Sequence, residues 1–111
     1  MIVTVREFAE KNQLKVFTEG DMDRAIGGCY IGDLLSLVMS KAEEGQIWIT
    51  IQGNVNIAAV AALADLACVL VAEGRPIDAE TKLKATEQGI TILGSEDSAY
   101  EVACLLHEQL L

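Results

Sequence analysis

The chain has 111 residues, 51% of them hydrophobic and 5% aromatic, and its 8 Lys and Arg stand against 17 Asp and Glu for a formal charge of −9. That length holds one domain and not two. The charge repels phosphate backbones and anionic headgroups, and the basic residues form no run, so a nucleic-acid polymer and a membrane surface are excluded as partners.

Thr4-Val5-Arg6-Glu7 has the form of a capping box, with Val3 and Phe8 placed as a hydrophobic staple. A short helix over 5–12 follows, then a strand over 14–18 and a polar turn at 20–23. A weaker strand is expected over 25–31, interrupted by Gly27 and Gly28, which suit a bulge or a close backbone approach. Asp33 can cap the next helix. Its face would carry Leu34, Leu35, Val38, Met39 and Ala42, and Gly45 would end it.

The segment 45–94 alternates strand, helix, strand, helix, strand. Its first strand, 46–51, sets Ile47, Ile49 and Ile51 against Trp48 and Thr50. The turn Gln52-Gly53-Asn54-Val55-Asn56 leads into an Ala-rich helix over 56–65, suited to close packing on a sheet. Residues 67–71 are wholly apolar, as at a sheet centre. After the turn Glu73-Gly74-Arg75-Pro76, Asp78 can cap a polar helix that ends at Gly89 and pairs Glu80 with Lys84. Residues 90–93 form the last strand, and Ser98 and Glu101 form a second capping box. Such alternation predicts an α/β domain with a mostly parallel sheet, 4–12 being the capped helix and 14–111 the core.

The last helix carries two stripes. Ala99, Val102, Ala103, Leu106 and Leu110 can face the sheet, while Tyr100, Cys104, His107 and Leu111 form a mixed second stripe that a partner subunit can cover. A domain this small leaves much apolar surface uncovered, and a homodimer is expected. Cys29, Cys68 and Cys104 lie in apolar contexts without a C-x-x-C, as buried, reduced thiols of a cytoplasmic protein. The N-terminus shows no basic region followed by an apolar one, and the apolar stretch 57–72 contains Asp65 and is too short to span a bilayer.

Three clusters sit at strand ends, each with two readings. Gln52, Asn54 and Asn56 can hydrogen-bond a small polar ligand or simply build a turn with Asn56 as helix cap. Gly74 and Arg75 can neutralise a carboxylate or phosphate, or Arg75 can pair with Glu73 or Asp78. Gly32 permits a close backbone approach or a tight turn, and Asp33 can bind a ligand hydroxyl or cap its helix. His107, the lone histidine, has no recognisable nucleophile or orienting partner. No acidic, Cys or His spacing suits a metal. An enzyme would need Gln52, Asn54, Asp33 and a partner's residues joined across a dimer seam, which nothing in the spacing demands. No metal, cofactor or catalytic residue is expected.

The segment 27–106 resembles a DRTGG domain. The resemblance is carried by Gly27-Gly28-Cys29-Tyr30-Ile31-Gly32-Asp33-Leu34-Leu35-Ser36, by Gly45-Gln46-Ile47-Trp48-Ile49-Thr50-Ile51-Gln52 and by Asn56-Ile57-Ala58-Ala59-Val60-Ala61. It continues through Gly74-Arg75-Pro76, Glu87-Gln88-Gly89-Ile90-Thr91-Ile92-Leu93 and Ser98-Ala99-Tyr100-Glu101. The five letters themselves do not occur as a run; Asp23-Arg24-Ala25-Ile26-Gly27-Gly28 echoes them. Such domains are similar to the N-terminal domain of HPr kinase/phosphorylase and to modules of phosphotransacetylases and of CBS-domain pyrophosphatases. The resemblance implies a three-layer α/β/α sandwich of about five strands, a regulatory or assembly role, and dimerisation. For free-standing members it implies a link to hydrogenase and electron-transfer systems. It does not imply kinase activity, because the chain has no G-x-x-x-x-G-K-[ST] phosphate loop. The function expected is a non-catalytic regulatory or protein-interaction module, homodimeric and open to a protein partner. The alternative is a sensor of a nucleotide or other anion at the strand-end loops.

Overall fold

The computed structural model describes residues 2–110. Ten elements follow one another as α1 (Val5–Lys11), β1 (Lys15–Thr18), β2 (Cys29–Ile31), α2 (Leu35–Lys41), β3 (Ile47–Thr50), α3 (Asn56–Leu63), β4 (Cys68–Val71), α4 (Ala79–Gln88), β5 (Ile92–Gly94) and α5 (Ala99–Leu110). One five-stranded sheet runs in the order β1-β5-β4-β3-β2. β2 to β5 are parallel, and β1 joins β5 antiparallel.

The apolar runs of β3 and β4 make sense in this arrangement, because every residue of both strands is buried. A strand covered on both faces has no polar face to alternate with. On one face α1 and α5 bring Val5, Phe8, Val102 and Leu106 against Ile47, Ile49, Leu70 and Leu93. On the other, α2, α3 and α4 bring Val38, Ile57, Ala61 and Ala85 against Trp48, Val69, Val71 and Ile92. The result is the expected α/β/α sandwich. Trp48 is fully buried, and its indole nitrogen donates to the Gly32 carbonyl at 2.8 Å, so its polar edge is satisfied inside the core.

Both capping boxes form. Thr4 Oγ1 accepts from the Glu7 amide at 3.1 Å, and the Glu7 carboxylate accepts from the Thr4 amide at 3.0 Å. Ser98 and Glu101 repeat the exchange at 3.2 and 3.1 Å. Each box satisfies two amides that a helix start leaves unpaired, and each cap contributes about 1 kcal/mol. Val3 and Phe8 are both buried beside the first. Gly89, at φ +68, closes α4 in the left-handed region.

Several local expectations differ from the structure. The strand expected over 25–31 is reduced to Cys29–Ile31, because Ala25 and Ile26 pair instead with Thr4 and Val3 beside α1. Only Val38 of the α2 face is buried; Leu34 is 62% exposed and Met39 43%. The helix stops at Ala42, and Gly45, at φ +79, turns the chain into β3. Lys84 pairs with Glu87 at 3.9 Å rather than with Glu80. Among the described residues no helix is long and apolar enough to cross a membrane.

Candidate functional site

The four parallel strands deliver their carboxyl ends to one rim of the sheet. The connections between β2 and β5 run over one face, through α2, α3 and α4. The connection after β5 crosses to the opposite face, where α5 packs beside α1. The loops leaving the adjacent strands β4 and β5 therefore diverge. In an open α/β sheet this is where a crevice opens beyond the strand ends. A cleft of about 720 Å³ lies there, with Lys15, Phe17, Arg75, Lys82, Glu96 and Asp97 among its walls.

The floor of the cleft is stitched together by backbone. Glu73 and Gly74 have φ of +61 and +65, and the Arg75 amide donates to the Ala72 carbonyl at 3.3 Å. This is a two-residue turn of the mirror-image type, which needs positive φ at both central positions. It aims the Glu73 and Gly74 amides at the Asp97 and Ser95 carbonyls, both at 2.8 Å. Arg75 is exposed and forms neither of the ion pairs expected of it. The pairs within 4.0 Å among the described residues are Arg6–Asp23, Arg24–Asp65 and Lys84–Glu87. Lys15, Arg75 and Lys82 are thus unpaired cations on one cleft, three of the eight in the chain. The Arg24 guanidinium, by contrast, is engaged by Asp65 at 2.7 Å and holds that carboxyl below its usual range.

The polar residues after β3 behave differently. Asp33 does not cap α2. Its Oδ1 accepts from Thr50 Oγ1 at 2.7 Å and from the Ile51 amide at 3.0 Å, which terminates β3. The Gln52 side-chain amide donates to the Asp33 carbonyl. Gln52 Oε1 accepts from Asn54 Nδ2 at 2.9 Å, and Asn54 Oδ1 accepts from the Asn56 amide at 3.0 Å. Asn56 is accordingly not the cap of α3 but its first residue, and the Asn54 side chain makes the turn that starts the helix. Gly53 fastens this loop to the next, its carbonyl accepting from the Asp78 amide at 2.9 Å and Thr81 Oγ1 at 2.8 Å.

Gln52 and Asn54 border a depression of about 370 Å³ that shares Arg75, Pro76 and Asp78 with the cleft. Gly32 and Asp33 line neither hollow. The structure brings Gly74 and Arg75 together with Lys15 and Lys82, which the sequence analysis did not single out. Lys15 arrives because β1 turns antiparallel beside β5, setting Lys15 opposite Gly94. No local pattern signals that pairing. Lys82, one helical turn after Asp78, had a weak signal: its position near the start of α4.

At the opposite sheet edge, α5 and β2 bound an apolar groove of about 510 Å³, lined by Cys29, Tyr30, Ile31, Ala103, Leu106 and His107. Parallel pairing with β3 uses the Gly28 carbonyl and the Gly32 amide. The intervening residues Cys29 and Ile31 turn their backbone groups outward from the sheet edge. Ile31 is 49% exposed. On α5, Tyr100 is 77% exposed, His107 is exposed and Cys104 half-buried; Leu111 lies outside the described residues. Burial pushes the Cys29 thiol up to about 11 and the fully buried Cys68 further in the same direction. Among the described residues no three His, Cys, Asp or Glu side chains gather as a metal site would require.

No protein-family model matches the sequence, and no curated protein matches it. A solved structure does resemble it: the CBS and DRTGG domains of the regulatory region of Clostridium perfringens pyrophosphatase, complexed with the activator diadenosine tetraphosphate. The likeness has a TM-score of 0.74 at 14% identity and covers 89% of this chain and 44% of that one. The chain thus spans less than half the length of its structural neighbour. At this identity the likeness is one of fold, and the fold is DRTGG-like.

Proposed function

We propose that the chain is a non-catalytic regulatory module that works by docking, its first partner being a second copy of itself. The observation that carries this reading is the open edge of β2, with outward backbone groups at Cys29 and Ile31 beside the apolar groove. Edge groups left in water are a template for a further strand, and the groove offers apolar area next to them. A two-fold axis at this edge would also bring the exposed Tyr100 and His107 of both copies toward the seam. The regulatory setting of the structural neighbour is in keeping with this role. An electron-transfer protein is the further partner class that the resemblance implies.

Native mass spectrometry beside the denatured mass tests it. The expected result is a dimer for the parent chain and a monomer for Tyr100→Glu, a substitution at a 77% exposed site that leaves the core alone. A monomeric parent, or a folded Tyr100→Glu variant that stays dimeric, would remove this interface.

A second reading, a small-ligand sensor at the strand carboxyl ends, is favoured by the crevice between the diverging β4 and β5 loops. The activator bound by the neighbour's regulatory region lends it support. Extra mass on the native protein that is lost on denaturation would favour the sensor.

A further inference from the structure

The cleft beyond β4 and β5 has an uneven chemistry that its shape alone does not require. Its charged lining is Lys15, Arg75 and Lys82 against Asp78, Glu96 and Asp97, a balance of 3 − 3 = 0. The rest of the chain holds the other 5 bases and 14 acids, and so the whole net charge of −9. The cleft is therefore a part of the surface where the repulsion of anions is locally relieved. The charges stand on different connections: Arg75, Asp78 and Lys82 come from the β4–α4 connection and the first turn of α4, Glu96 and Asp97 from the loop after β5, and Lys15 from β1. Leu14, Phe17 and Pro76 supply apolar wall.

None of the three cations is spent on an ion pair among the described residues, and neither Glu96 nor Asp97 accepts a hydrogen bond through its carboxylate. Lys15 is held instead over the Phe17 ring at 4.6 Å. The volume of about 720 Å³ falls within the ordinary range for small-molecule sites. The stitched backbone floor needs little ordering on binding, which lowers the cost of occupation.

We infer that this cleft binds an organic phosphate ester with a hydroxylated body, the phosphate toward Arg75, Lys82 and Lys15 and the hydroxyls toward Glu96 and Asp97. Arg75 offers a planar fork of donors to the phosphate oxygens, and the lysines act as point charges. The carboxylates can only accept, which suits hydroxyl donors and rejects a second anionic end. A nucleotide and a sugar phosphate share this chemistry. The inference rests on the sensor reading and gives that site its ligand class.

The test is an amide NMR titration of the full-length, isotope-labelled chain with AMP, ATP, glucose 6-phosphate, inorganic phosphate and adenosine. Saturable shifts with a phosphate ester, centred on residues 74–79 and 94–97, are expected. Arg75→Ala and Lys82→Ala, both at exposed sites, should each weaken that binding about tenfold or more, as loss of a charge-assisted hydrogen bond does. The AMP and glucose 6-phosphate arms separate the two sources. Equal affinity for inorganic phosphate, or binding unchanged in both variants, overturns the inference. Saturable shifts centred elsewhere, or retained mass of another chemistry on the native protein, overturn it while the sensor reading stands. No shift with any ester together with no retained mass removes both.

Discussion

Gly53 is the point at which the rim loops are held in register, and replacing it with alanine tests that arrangement. A Cβ built there lies 2.9 Å from the Ile77 Cα and 3.1 Å from the Pro76 carbonyl carbon, with the Pro76 oxygen nearer still. These neighbours are backbone, so no side chain can swing aside. The loop after β3 must move away from the loop before α4, and the movement stretches the two hydrogen bonds that the Gly53 carbonyl accepts from Asp78 and Thr81. Each such bond is worth about 0.5–1.5 kcal/mol net and is weakened rather than lost, and an overpacked site costs about 1–3 kcal/mol, so a loss of about 2–4 kcal/mol is expected. At roughly 4 °C per kcal/mol for a domain of this size, the melting midpoint falls by about 8–16 °C. Urea unfolding followed by circular dichroism reads the same loss as a lower midpoint at unchanged slope. Gly27→Ala is the matched control. Its Cβ meets nothing nearer than the Gly45 oxygen at 3.6 Å, so a change within about 0.5 kcal/mol is expected. A Gly53→Ala chain as stable as the control would refute the claim that these loops are in rigid apposition.

Two further predictions concern titrating groups. Asp65 has a folded pKa below its ordinary 3.8, first because Arg24 donates a hydrogen bond to it. Its contribution to stability is then complete above 3.8 and is lost as the pH falls through the lower folded value. An NMR titration of its carboxyl should show a midpoint below 3.8 that rises in Arg24→Ala; a midpoint at or above 3.8 in the parent chain would contradict the pairing. With Cys29 pushed up to about 11 by burial and Cys68 shifted the same way, a thiol reagent at neutral pH should label Cys104 first and Cys68 only in denaturant. Equal labelling of all three thiols in the native protein would show that the sheet opens readily.

The legible part of this fold was the part governed by local chemistry. Capping boxes at Thr4 and Ser98, the glycine stop at Gly89 and the apolar runs of β3 and β4 each act within a few residues, and each formed as its sequence implies. The failures share a different cause. Asp33 and Asn56 carry side chains suited to helix caps, but tertiary partners decide their use: Thr50 and Ile51 take Asp33, and Asn54 makes the turn in place of Asn56. Ala25 and Ile26 were drawn out of the sheet by the N-terminal stretch. The cleft was half legible. Gly74 and Arg75 are placed by a turn that reads locally, while Lys15 enters through an antiparallel pairing that spans most of the chain.

The two margins of the sheet are not equivalent, and the difference limits how copies of this chain can add to one another. β1, at one margin, breaks register between Val16 and Thr18 and carries Lys15 facing water. Irregularity and charge of this kind discourage a further strand. β2, at the other margin, is the open one. A chain with a single receptive margin has nothing left to offer once that margin is occupied. Association through β2 would end at two chains, with a β1 strand at each end of a shared sheet, and could not grow into a fibre.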